Sequence, residues 1–73
     1  MSKFSERLVF IRKKQNILQK DAVKALGISL RAYQYYETAE REPTMSILIK
    51  IADYYNVSID YLVGRTDNPT VNH

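Results

Sequence analysis

Residues 18–37, LQKDAVKALGISLRAYQYYE, constrain the fold of this chain more than any other stretch. Gln19 stands just after the apolar pair Ile17 and Leu18, and Ala22, Val23 and Leu26 then recur at helical spacing. Gly27 follows the last apolar residue, where a helix can stop because glycine tolerates a left-handed backbone. Ile28 plugs the turn. Ser29 is a good N-cap, since its hydroxyl can accept from amides left without partners in the next turn. A second helix is expected from Leu30 to Glu37. Helix, glycine turn and helix in so short a span are the arrangement that sets a second helix into a DNA major groove.

The chain has 73 residues, enough for one small domain. A domain of this size buries only about 60% of the surface its unfolded chain exposes. With no cysteine and no clustered metal ligands, its core must come from apolar side chains, and dimerisation can add to it. No cofactor is expected. Absence of cysteine fits a reducing compartment, and a cytoplasmic location is expected. The first ten residues, MSKFSERLVF, carry early charges and no long apolar run, so neither a signal peptide nor a membrane span is expected there. The net charge of +3 suits a polyanionic partner, but many ordinary small proteins are as basic.

A first helix is expected from Lys3 to Lys14, with Phe4, Leu8 and Ile11 as its apolar stripe and Ser2 as its cap. Glu6 sits near its positive end, and Arg12, Lys13 and Lys14 crowd its negative end. Val9 and Phe10 fall off the stripe. After the second and third helices, TAEREP reads as a polar loop, and Pro43 holds Glu42 extended. Thr44 is the expected cap of a fourth helix, Met45 to Tyr55, with Leu48, Ile51, Ala52 and Tyr55 inward. The run ILIKI at 47–51 tempts a strand assignment, but its flanks favour a buried helix. Ser58 caps a short fifth helix, Ile59 to Val63, and Gly64 stops it. The fold class is therefore all-α. The expected division is a DNA-binding domain over residues 1–65 and a flexible tail over 66–73.

Gln19, Val23, Leu26-Gly27-Ile28-Ser29, Tyr36-Glu37, Pro43 and the closing LIKIADYYNVSIDYLVG resemble the Xre or phage-repressor type of helix-turn-helix regulator. The resemblance covers roughly residues 4–64, much more than one short motif. It implies a compact five-helix, lambda-repressor-like domain whose second and third helices read double-stranded DNA, and a homodimer on a near-palindromic operator. It matches Gln19 to a phosphate-touching glutamine that braces the reading helix. Ser29, Leu30, Arg31, Gln34 and Tyr35 match positions facing the groove, and Thr38 and Arg41 match loop positions near phosphates. Arg12 and Glu37 match a buried ion pair. The chain departs from the pattern at three places. Leu30 replaces a frequent polar base reader, Tyr33 a packed valine or isoleucine, and Leu18 the usual hydroxyl cap. The Tyr33 hydroxyl therefore needs a partner or solvent.

The residue types suit that work. With Tyr33, Tyr36 and Ile28 inward, Leu30, Arg31, Gln34 and Tyr35 point outward. Arginine grips guanine O6 and N7, glutamine grips adenine N6 and N7, and leucine offers surface to a thymine methyl. By composition alone, Arg31 and Gln34 are better read as solvated helix residues, and only the motif context reverses this; Lys13, Lys14, Lys20 and Lys24 form a basic face or serve as solubilising charge. The six tyrosines could suggest base stacking, but Tyr36 and Tyr55 fit core positions, Tyr54 and Tyr61 stay ambiguous, and stacking is the weaker reading. His73, the single histidine, has no assigned metal or catalytic role. An enzyme is not expected, because neither a phosphate-cradling glycine loop nor a nucleophile with a base beside it is present. Dimerisation is expected on Ile59, Tyr61, Leu62 and Val63. With a single domain, regulation would come through concentration, a protein antagonist or the tail. An alternative function is an antitoxin that binds a toxin protein and autoregulates its promoter. A second is an interaction module that has lost DNA contact, whose DNA affinity would respond little to salt.

Overall fold

Five helices take up the periodic segments. The computed structural model describes residues 3–71. In it α1 spans Lys3–Lys14, α2 Gln19–Leu26, α3 Leu30–Glu37, α4 Met45–Tyr55 and α5 Ile59–Leu62. Ser2, expected to cap α1, and His73 lie outside the described residues. Helix α5 is one residue shorter than its sequence suggests, because Val63 becomes its C-cap. The run at 47–51 is helical, and there is no strand among the described residues.

The caps follow hydroxyl chemistry. Ser29, Thr44 and Ser58 accept from the amides of Ala32, Ile47 and Tyr61, at 3.1, 3.3 and 3.0 Å. Leu18 begins α2 without a side-chain cap bond. All five helices end alike. Asn16, Gly27, Ala39, Asn56 and Gly64 turn left-handed. After each, the next amide reaches back to the helix: Ile17 to the Arg12 carbonyl, Ile28 to Val23, Glu40 to Tyr35, Val57 to Ala52 and Arg65 to Asp60. This turn satisfies carbonyls that the helix leaves without partners. Ala39 is the costly case, since its Cβ crowds the backbone at φ 67°.

The helices close over one core. Helix α1 packs on α3 and α5, α2 on α3 and α4, and α4 on α5. Leu8, Ile51 and Leu62 are completely buried, and each burial stabilises by about 1.5–3 kcal/mol before entropy is counted. Leu26, Leu48, Ala52 and Val57 complete the centre.

Two tyrosines solve the polar problem inside it. Tyr33 and Tyr55 are both buried, and their hydroxyls meet at 2.6 Å. The structure thereby supplies the partner that the Tyr33 hydroxyl requires. Burial raises the pKa of Tyr33 far above its usual value and pushes Tyr55 up to about 12. Because both folded values exceed the unfolded value, near 10, the pair's contribution is fully present below about pH 10. It is lost as pH rises from there through about 12. Thermal melts with and without the two hydroxyls measure this alkaline loss. Tyr33→Phe strands the Tyr55 hydroxyl and is expected to cost about 1–3 kcal/mol in denaturant titration. The Tyr33→Phe, Tyr55→Phe double variant should recover part of that. A double variant less stable than the sum of the singles would contradict this account.

The segment after α5 is held by Arg7, whose side chain is only 12% exposed. Its Nη1 donates to the carbonyls of Tyr61 and Thr66 and its Nη2 to Asp67 Oδ1, at 2.9, 2.5 and 2.5 Å. The guanidinium also lies 4.2 Å from the centre of the Tyr61 ring. Farther on, the Ser58 amide donates to the Pro69 carbonyl at 3.0 Å. Asp67 is fully in solvent, so the main-chain acceptors matter more than that surface ion pair.

Candidate nucleic-acid interface

The site begins with the turn between α2 and α3. Gly27 adopts φ 71°, with no atom near where a Cβ would sit, so the backbone angle alone favours glycine there. Amides of Gly27 and Ile28 both reach the Val23 carbonyl, which fixes where α3 starts. The Ser29 hydroxyl accepts from Ala32 and keeps its own proton to donate outward.

Helix α3 has two faces. Tyr33 and Glu37 are buried, and Tyr36 is half-buried against the core with Ile28. On the other side Leu30, Arg31 and Gln34 are exposed and Tyr35 is half-buried. The protein's own helices therefore mask neither Arg31 nor Gln34.

A chain of bonds runs from the interior to this outer face. Arg12 Nε donates to Glu37 Oε2 at 2.6 Å, and its Nη2 donates to Oε1 at 3.2 Å. Both side chains are well covered, at 13% and 6% exposure. The Glu37 hydrogen bond raises the Arg12 pKa, against desolvation that would lower it. Arg12 Nη1 also donates to the Ile17 carbonyl at 2.9 Å, tying the α1–α2 loop to the pair. Gln19 Nε2 donates to Glu37 Oε1 at 2.9 Å, and Gln34 Nε2 donates to Gln19 Oε1 at 3.3 Å. One side-chain relay thus sets Gln34 relative to the buried carboxylate.

The left-handed turn at Ala39 returns the chain towards α3. Amides of Glu40 and Arg41 both donate to the Tyr35 carbonyl, at 2.9 and 3.3 Å. Thr38 Oγ1 donates to the same carbonyl at 3.3 Å. The Arg41 guanidinium lies 5.0 Å from the centre of the Tyr35 ring, and Arg31 Nε donates to the Tyr35 hydroxyl at 2.9 Å. A shallow depression of about 480 Å³ is lined by Gln19, Gln34, Tyr35 and Thr38, with Glu37, Glu40 and Val9. Glu40 is the residue that sequence reasoning passes over, and it sets a second carboxylate beside Glu37 in the lining of the depression. The Arg31–Tyr35 contact did have a sequence signal, because residues four apart meet on a helix.

The residues expected at a dimer interface divide. Leu62 is completely buried and Tyr61 is 7% exposed, so these two anchor α5 within its own protomer. The expectation that they offer spare surface is corrected: α1 and α4 already cover them. Val63, at 39% exposure, and the half-buried Ile59 remain at the surface.

Two short helices, a tight glycine turn, a locked inner face and a polar outer face define a helix-turn-helix domain. The model of the family described as helix-turn-helix matches residues 10–62. The chain belongs to that family, in its Xre-like, phage-repressor branch, with the lambda-repressor-like fold. It is 48% identical over 63 residues to the cryptic phage CTXphi transcriptional repressor RstR of Vibrio cholerae, covering 86% of this chain and 56% of that protein. It is 40% identical over 68 residues to the uncharacterized HTH-type transcriptional regulator YqaE of Bacillus subtilis, covering 93% of this chain and 59% of the relative. The chain thus spans little more than half the length of these curated relatives. Among solved structures it resembles the P22 c2 repressor protein in complex with synthetic operator 9T, with a TM-score of 0.78 and 33% identity. That match covers 82% of this chain and 91% of the other. A transcriptional regulator from Listeria innocua matches with a TM-score of 0.77 and 30% identity, over 96% of this chain and 61% of that one.

Proposed function

We propose that this domain binds double-stranded DNA sequence-specifically and represses transcription, with α3 in the major groove. The observation that carries the reading is the outer face of α3, where Arg31 and Gln34 are exposed while the inner face is locked. The repressor names among the relatives, and the operator in the P22 c2 complex, support it. Arg31 and Gln34 take the base-reading roles, and Leu30 takes a thymine methyl. Gln19, Ser29 and Arg41 take phosphates, as donors suited to fixing orientation, and Thr38 joins them by turning its hydroxyl from the Tyr35 carbonyl to a phosphate. A homodimer would set two copies of α3 about 34–36 Å apart, one helical turn of DNA. Of the side chains expected at its interface, Ile59 of α5 and the C-cap residue Val63 remain at the surface to join it.

Selection from a random DNA pool tests the proposal, with affinity then followed against salt. A preferred sequence with two-fold symmetry is the expected result. If 6–10 phosphates are contacted, affinity should fall about 10³–10⁵-fold between 50 and 200 mM salt. An affinity indifferent to salt would remove the DNA reading. Arg31→Ala should cost about 1–3 kcal/mol on the selected sequence and far less on random DNA. Equal losses on both would make Arg31 a phosphate contact instead.

A further inference from the structure

We infer that Tyr35 is a positioning residue for Arg31, and that its hydroxyl makes one guanine position in each half-site discriminating. The inference rests on the reading of α3 as the base-reading helix. Arginine is long, and on an exposed helix face it samples many rotamers. Here its Nε is engaged, donating to the Tyr35 hydroxyl at 2.9 Å, with the guanidinium carbon 5.8 Å from the ring centre. The ring is itself steadied. Arg41 approaches it at 5.0 Å, brought there by the turn through Ala39. The Tyr35 backbone carbonyl accepts from Thr38, Glu40 and Arg41.

The consequence is chemical. With Nε taken, Arg31 offers a base only its two terminal nitrogens. That pair matches the two acceptors on guanine, O6 and N7, end-on. Adenine presents a donor where guanine has O6, so a guanidinium held in this pose meets a repelling group. A free arginine could reorient to avoid that penalty. Tyr35 thus turns a general cation into a guanine reader.

The experiment compares Tyr35→Phe with the unmodified chain on selected DNA carrying each base pair in turn. Phenylalanine keeps the ring for Arg41 and removes only the hydroxyl. Guanine preference at one position per half-site should fall about two- to tenfold, the size of an ordering cost for one side chain. Other positions should keep their preferences. In an Arg31→Lys background, which has no Nε, the same change should have no further effect on discrimination. Without DNA, the Arg31 Nε–H resonance should be resolved and slow to exchange in the unmodified chain and lose both properties in Tyr35→Phe. Undiminished guanine preference in Tyr35→Phe overturns the inference. So does a loss spread equally over selected and random DNA, which would make the phenol a phosphate donor. So does an equal effect of the change in the lysine background. If the unmodified chain selects no sequence, the DNA reading itself falls and this inference with it. An intact Nε–H signal beside lost discrimination would instead leave DNA binding standing and overturn the positioning role alone.

Discussion

Glu37→Ala is expected to destabilise the domain by about 3–5 kcal/mol, the usual cost of leaving one member of a buried ion pair uncompensated. Native domains are stable by about 0.05–0.15 kcal/mol per residue, so a chain of this length has roughly 4–11 kcal/mol in all. That loss would therefore remove at least about a quarter of the total and, at the low end of the range, all of it. The carboxylate accepts from Nε and Nη2 of Arg12 and from Nε2 of Gln19, and all three bonds vanish together. Glu37→Gln keeps an acceptor without the charge and should cost less. Arg12→Met combined with Glu37→Leu removes both charges and should recover much of the loss, because neither member is then stranded. Urea titration of the four proteins decides the matter. A loss below about 1 kcal/mol for Glu37→Ala would mean that the pair behaves as an exposed one does. DNA binding supplies a second measure. Gln34 is set through Gln19, so any Glu37 variant that still folds should lose sequence preference at the Gln34 contact more than at the Arg31 contact.

Leu62→Ala is expected to cost about 2–5 kcal/mol of folding stability, from lost transfer energy and the cavity left behind. Leu62 has no exposed surface and lies in the core with Leu8 and Ile51. Val63→Ser, one residue on and 39% exposed, should change stability by less than about 0.5 kcal/mol. Its expected effect is on association, if a second copy packs there. Thermal unfolding and sedimentation, run on both variants, separate the two roles. Should Leu62→Ala dissociate a dimer at unchanged melting temperature, the assignment of this side chain to the core would be wrong.

The neighbouring pair shows where a sequence stops being informative. IDYLV is apolar enough to suggest spare surface, yet nothing in those five letters says which side the rest of the chain covers. The same limit applies to Arg7. In the sequence it is one cation among many on the first helix. In the fold it holds the turn after α5 through acceptors more than fifty residues away. Tyr33 is a half-way case. Its departure from the family pattern announces a hydroxyl in need of a partner, but only the closing of the core brings Tyr55, twenty-two residues on, to it.

The sequence by itself determined the five helices, the hydroxyls that begin three of them, the glycines that end two, and the outward side of the second short helix. These properties are local. Caps, left-handed turns and apolar periodicity act between residues a few positions apart, and their partners are written beside them. The tertiary structure alone decided that Leu62 and Tyr61 face inward, that Tyr33 meets Tyr55, that Arg7 grips the segment after α5, and that Arg41 comes back to the ring Arg31 also touches. Each of these depends on which surface a distant element covers. That choice is set by how the whole core closes, and no short stretch of chain carries it.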